Sequence, residues 1–311
     1  MSGRAAGLQL VRTPDRPGPG PIPDAVLRAL DLKIQRRVAG LLPGSNRSSA
    51  LGAGTELAQV RPYEAGDDVR EIDWNVTART TQAHVRVRVA ERVLTTWMLY
   101  DTSPSMAFGT ADRRKCDVAE GVAIAVGHIS TRRGNRLGIC TFGDAVPRII
   151  PPAAGRPGML GLFVMLQHPE AGKAAGPASL GEVMARLSQL AGQSKVVVVV
   201  SDFRGPLDWS RAMIALCARH SVIAVEVRDP REQELPNVGE LCLVDPETGR
   251  QLRVDTSSKR LRERFAAAAT EERATIAAAL RRAGARHVVL STEGDWLRTL
   301  TLFLKRQEIA R

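Results

Sequence analysis

"VLTTWMLYDTSPSM", residues 93–106, passes from an apolar-leaning run to one acid and two hydroxyls. The run reads as a buried strand, and Asp101, Ser103 and Ser105 stand where it ends. Asp-Thr-Ser suits an ordinary turn, whereas alternating oxygen side chains suit a hard metal ion. What else the chain brings to the same edge decides between them.

Outward from this point the pattern alternates strand and helix. Further strands are expected at Arg136 to Phe142, Pro147 to Ile150, Lys195 to Ser201, Ser221 to Val227 and Arg286 to Leu290. Between the first two strands, Cys116, Ala119, Val122, Ala123, Val126 and Ile129 share one helical face. Helices also fit Met159 to Leu166, Leu180 to Leu190, Pro206 to Arg219 and Trp296 to Lys305. Residues 259–284 read as a long helical pattern, either continuous or broken near Thr270. Strands separated by amphipathic helices predict an α/β fold, a doubly wound and mainly parallel sheet. Its central strand is the "VVVVV" run, Val196 to Val200, followed by Asp202. Open parallel sheets gather ligand groups beyond the carboxyl ends of their strands, near the point where strand order reverses. Asp202 is therefore expected to face Asp101, Ser103 and Ser105, a hard-oxygen set suited to Mg²⁺ or Mn²⁺.

Composition narrows the function classes. The 44 basic and 33 acidic residues leave a net charge of +11. Of the basic residues, 14 precede Val93 and 30 follow it, so the excess is dispersed, and two Tyr and six Phe offer little for base stacking. An acidic protein surface is a better partner than a specific nucleic acid. The cysteines, Cys116, Cys140, Cys217 and Cys242, form no CxxC pair, and three lie in apolar runs, which reads as buried free thiols in a reducing compartment. No HExxH motif, close His pair, evident Ser-His-Asp set, signal sequence or membrane-length apolar run is present. The expectation is a soluble cytoplasmic protein without a membrane span.

Residues 1–23, rich in Pro and Gly, read as a disordered lead-in, residues 24–92 as an N-terminal lobe opening on a helix from Asp24, and residues 93–311 as the α/β domain. The lobe holds "RPYEAGDDVREIDWNVTART", residues 61–80. There Arg61, Arg70 and Arg79 alternate with Asp67, Asp68 and Asp73, around Tyr63, Gly66, Trp74 and Thr77. Arg suits bidentate carboxylate pairing, Gly66 permits a tight turn and Trp74 can anchor apolar packing. An internal ion-pair network and a docking surface for another protein both account for the pattern.

Asp101-x-Ser103-x-Ser105 after one strand, with Asp202 after another, resembles the metal-ion-dependent adhesion site of von Willebrand factor A domains. That family also uses a Thr, and the matching stretch here, "GPASLGEVM" (residues 176–184), has Ala178 in its place, with Ser179 one residue off. The resemblance implies a weakened or absent Mg²⁺ or Mn²⁺ site. Residues 61–80, with "VRDPREQELPNVGELCLVDPETGRQLRVDT" (residues 227–256), resemble the two signatures of the bacterial domain of unknown function 58 family. Members are typically encoded beside MoxR-type AAA+ ATPases. The resemblance implies a non-enzymatic adaptor or co-chaperone that acts with such an ATPase on a client protein. The competing reading is a divalent-metal-dependent, phosphoesterase-like hydrolase using Asp101 and Asp202; Asp144 could be recruited, though it reads better as part of a hairpin turn.

Overall fold

The computed structural model describes residues 16, 18–20, 22, 51–89, 94–132, 134–143, 147–167, 178–190, 195–245 and 248–309. The helix expected from Asp24, Asp144, and residues 176 and 177 of the Ala178 stretch lie outside these. The chain divides into two units, Pro43–Val93 and Met1–Leu42 together with Leu94–Arg311.

The smaller unit pairs β1 (Leu51–Pro62) antiparallel with β2 (His84–Val89), with a single 3-10 turn, Val69–Glu71, and a short helix, α1 (Trp74–Thr80), between them. Asp68 caps the turn by accepting from the Arg70 amide at 2.9 Å. Asp73 caps α1 by accepting from the amides of Asn75 (3.0 Å) and Val76 (3.2 Å). Each aspartate satisfies donors that a helix start leaves without partners.

The larger unit is built on six strands: β3 (Thr95–Asp101), β4 (Arg136–Phe142), β5 (Ile149–Ala154), β6 (Val196–Ser201), β7 (Ser221–Arg228) and β10 (Arg286–Ser291). They lie in the order β10-β7-β6-β3-β4-β5, all parallel except β5, which runs antiparallel to β4 at the sheet edge. Pro151 and Pro152 sit in β5, and an edge is where a sheet tolerates residues that cannot donate to the ladder. Helices α2 (Lys115–Ser130), α3 (Gly155–Gln167) and α7 (Trp296–Ile309) cover one face, and α4 (Leu180–Leu190), α5 (Ser210–Arg219) and α6 (Lys259–Ala283) the other. Alternate strand residues supply the two cores: Met98, Tyr100, Val198 and Val200 meet α2, while Trp97, Leu99, Val197 and Val199 meet α4 and α5. The doubly wound sheet is thus the one expected, and every expected strand is present.

One open reading is settled, one element is added and the burial of the cysteines changes. Of the two readings of residues 259–284 the continuous one holds: α6 runs unbroken, and the Thr270 hydroxyl donates to the Ala266 carbonyl at 2.8 Å within it. Residues 240–255 form an antiparallel hairpin outside the main sheet, β8 (Glu240–Val244) with β9 (Gln251–Asp255). Buried Thr256 closes its base: its amide and hydroxyl both donate to the Gly239 carbonyl at 2.7 Å, and the hydroxyl accepts from the Val238 amide. The four cysteines are free, but only Cys140 is buried; Cys116 and Cys217 are half-buried and Cys242 is exposed on β8. Within the lead-in, the Arg16 amide donates to the Asp112 carbonyl, the Trp296 indole donates to the Pro19 carbonyl, and Ile22 packs on the α2 face of the core. Among the described residues no helix is long and apolar enough to cross a membrane.

Candidate functional site at the carboxyl edge of the sheet

Strand order reverses between β3 and β6, which pair directly, with Tyr100 opposite Val200. Asp101 and Asp202 therefore emerge side by side at the carboxyl edge. Ser103, Ser105 and Asp202 share one hydrogen-bonded cluster with Asp101. The Ser103 amide donates to Asp101 Oδ1 at 2.9 Å, the Ser201 hydroxyl donates to Asp101 Oδ2 at 2.5 Å, and the Ser103 and Ser105 hydroxyls lie 3.0 Å apart. The Ser105 hydroxyl also bonds the Asp202 carboxylate. Burial, together with the charge of Asp202, pushes the Asp101 carboxyl up to about 7, against the hydrogen bonds from Ser103 and Ser201.

The end of β4 fixes this loop from the other side. Thr102 donates through both its amide and its hydroxyl to the Phe142 carbonyl, each at 2.8 Å. Gly143 follows with φ +91°, and a Cβ there would stand 2.5 Å from the Ser103 amide nitrogen. Only glycine allows that approach. Its own amide donates to the Ala178 carbonyl, so the stretch before α4 does arrive beside the Asp101 loop, with a methyl group instead of a hydroxyl. Ser179 offers no substitute. Its hydroxyl accepts from the Glu182 amide while Glu182 reaches back to the Ser179 amide, a capping box at the start of α4.

A lysine lies among these groups. Lys115, at the first position of α2, is 0% exposed, and its ammonium donates to Asp202 Oδ2 at 2.6 Å and to Glu232 Oε1 at 2.7 Å. Asp202 Oδ1 accepts from the Arg204 amide, and the Arg204 guanidinium spans Glu232 (3.1 Å) and Glu272 (3.3 Å). Burial alone would favour the neutral amine, but the carboxylates of Asp202 and Glu232 outweigh it and raise the Lys115 pKa above the ordinary lysine value. Asp202 mirrors this: burial acts to raise its carboxyl, and the Lys115 charge and hydrogen bond bring it below the usual range. Asp229, wholly buried, accepts from the Thr110 amide and hydroxyl, the Thr292 hydroxyl and the Arg231 amide. Residues 229–232 are thereby tied to the segments before α2 and after β10. A shallow cleft, open to solvent, lies alongside and is lined by Asp202, Arg204, Glu226, Glu232, Glu272 and Arg273. Glu226 within it is bonded by Arg228 and, at 2.7 Å, by His287 Nε2.

This arrangement does not fit a divalent cation. The oxygens of Asp101 and Asp202 are already committed, Mg²⁺ requires a near-octahedral oxygen shell, and Ala178 supplies no side-chain ligand. An ammonium about 4 Å from a divalent ion would repel it by roughly 8 kcal/mol at an effective dielectric of about 20. The family-type residues are brought together, but one of them, Asp202, is already paired with a lysine. Among the described residues no group of three or more His, Cys, Asp or Glu stands ready to hold a metal.

The Arg/Asp signature is a separate construction. Arg61 makes a two-pronged pair with Asp67 at 2.8 and 2.7 Å, and Asp67 also accepts from the Glu64 amide in the turn that Gly66, φ +114°, allows. Asp73 pairs with Arg86, at 2.9 Å, and not with an arginine of the signature. The Tyr63 amide donates to the Ala83 carbonyl, and the Thr77 hydroxyl accepts from the His84 amide. Arg70 is exposed, and Arg79 bonds only the Asn75 carbonyl of its own helix. Trp74 does not anchor a core: it opens the two-turn α1 and is 70% exposed. The signature is thus a set of local caps and short-range ion pairs, with an indole left on the surface.

Lys115, Glu232 and Asp229 are the residues that sequence reading missed. One signal was available: Lys115 stands three, four and seven positions before Val118, Ala119 and Val122, on the apolar stripe of α2.

Residues 59–275 match the family described as Protein of unknown function DUF58. Uncharacterized protein Rv1480 of Mycobacterium tuberculosis is 39% identical over 285 residues, covering 90% of this chain and 88% of its own. Uncharacterized protein MAV169 of Mycobacterium avium is 43% identical over 112 residues, 35% of this chain and 64% of its own. Among solved structures, BatB from Bacteroides thetaiotaomicron aligns over 70% of this chain and 99% of its own at 12% identity, TM-score 0.44. The SpRpn10 von Willebrand factor A domain aligns over 68% and 94% at 15% identity, TM-score 0.34. The match over most of its length, and a relative alike nearly end to end, mean that the chain belongs to the DUF58 family, with a von Willebrand factor A-like fold in its larger unit.

Proposed function

We infer that the protein is a non-enzymatic, cytoplasmic adaptor that acts with a MoxR-type AAA+ ATPase on a client protein. The ATPase enters through the family resemblance. The observation that carries the reading is the state of the sheet edge, where Lys115, Asp202, Glu232 and Arg204 are engaged with one another. A hydrolase needs a nucleophile or water held by a group free to take its proton, and these charges serve instead to tie loops together. A binding role is further supported by the smaller unit, which exposes Trp74 (70%) and Val69 (61%) beside the capped Arg/Asp turns. Exposed aromatic residues are common anchors of protein contacts, and a net charge of +11 favours an acidic partner.

Affinity capture from native lysate, with wild type and Trp74→Ala in parallel, tests this reading. The expected result is an AAA+ ATPase retained by wild type and lost by the variant, with both proteins melting alike. Phosphatase activity of purified protein that needs Mn²⁺ and disappears in Asp101→Asn would favour the hydrolase instead.

A further inference from the structure

A divalent ion at a sheet edge neutralises crowded carboxylates and ties together loops from different strands. Lys115 does both here. Its ammonium links α2 to Asp202, 87 positions away at the end of β6, and to Glu232, 117 positions away in the turn after β7. A compact ammonium with three donors suits two carboxylates that meet at one point, where a planar guanidinium would have to face both in one plane. The side chain is fully enclosed, and Phe108 lies beneath it with its ring centre 5.9 Å from Nζ.

We propose that Lys115 is a tethered, built-in cation that takes the place of a divalent metal, so that the protein is indifferent to metal. Removing the ammonium alone then leaves Asp202 and Glu232, with the Ser105 hydroxyl beside Asp202, facing the vacated point, where Mg²⁺ or Mn²⁺ can take its place. The missing Thr oxygen at position 178 is therefore a secondary loss, because the ammonium already excludes the ion. Lys115→Met keeps the length and apolar stem of the side chain, leaves buried Asp202 without its cation and leaves Glu232 with Arg204 alone. Hard oxygens in that state attract a hard dication.

Metal-stripped wild type, Lys115→Met and Lys115→Met/Asp202→Asn are titrated with Mn²⁺ and followed by calorimetry and melting temperature. Wild type is expected to take up no Mn²⁺ and to melt unchanged up to about 10 mM, a range in which any site of micromolar affinity would be saturated. Lys115→Met should melt lower in chelator, bind one Mn²⁺ per chain and recover by about 5 °C or more at saturation. The double variant should lose that recovery. Saturable uptake by wild type that Ser105→Ala weakens about tenfold or more would overturn the proposal, as would a folded Lys115→Met that binds no metal. If Lys115→Met does not fold in chelator, refolding from urea with Mn²⁺ decides: recovery supports the proposal, and failure with metal present overturns it.

Discussion

Asp73 and Asp202 are both buried aspartates that pair with a cation, yet they are placed in different ways. Asp73 takes two amides of its own helix and Arg86, 13 positions away, whose side chain is 39% exposed. Asp202 takes a lysine 87 positions away that no water reaches. The difference lies in the cation rather than in the acid. Water screens Arg86 and can solvate it if Asp73 is lost, whereas Lys115 has only Glu232 to fall back on. One aspartate shapes a turn; the other closes a tertiary fold.

The largest effect should come from Asp202→Ala, which leaves the enclosed ammonium half compensated and lowers unfolding free energy by about 3–5 kcal/mol in urea titration. A loss under about 1 kcal/mol would put the two aspartates in one class. Asp229→Ala comes next, stranding the Thr110 amide and hydroxyl and the Thr292 hydroxyl, with an expected loss of about 2–3 kcal/mol by the same measurement. Asp73→Ala should lower the melting temperature by only about 2–4 °C, and Asp73→Asn should restore most of it, since Asn caps a helix equally well. A drop as large as that of Asp202→Ala would break the contrast.

The smallest effect concerns pH. Burial acts to raise the Glu226 carboxyl, but hydrogen bonds from His287 and Arg228 outweigh it and keep the carboxyl below its ordinary value of 4.5. A depressed carboxyl contributes stability above its unfolded pKa and loses it as pH falls through the folded one. The stability gap between wild type and Glu226→Gln should therefore be constant near neutrality and narrow below about pH 4.5. A gap that stays constant to pH 3 or lower, about 1.5 units beyond, would mean that the bonds from His287 and Arg228 do not depend on the charge.

Much of the sheet was legible because apolar period and strand-end acids are local signals. "VVVVV" can hardly be anything but a central strand, and an Asp after each of two buried strands meets at the switch point once strand order is set. The tertiary partners were not legible. The place of Lys115 on an apolar stripe hints at burial, but nothing near it announces that Asp202 and Glu232 will close over it. Glu232 and Asp229 sat inside a recognised signature, but a signature marks residues without saying what they touch. Whether the helix breaks at Thr270 could not be read either, since its hydroxyl is satisfied within its own helix. Trp74 misled because aromatic residues usually seek cover, and a two-turn helix provides little.

The hairpin of β8 and β9 has a use for the experimenter. Thr256 fastens its two ends together, and the Asp245 amide meets the Arg250 carbonyl at 2.9 Å near its tip. Its strands pair only with each other, so neither depends on the ladder of the large sheet. Chain length added beyond Asp245 costs loop entropy, about 0.6 kcal/mol for each doubling, besides the bonds that Thr248 and Gly249 make to Asp245. Position 249, a glycine with φ +70°, holds that backbone only as glycine, so cargo belongs beside it, where nothing lies within 4 Å, and not in its place. An epitope or a small fluorescent domain spliced there would report on the protein's whereabouts while leaving the lysine cross-link untouched.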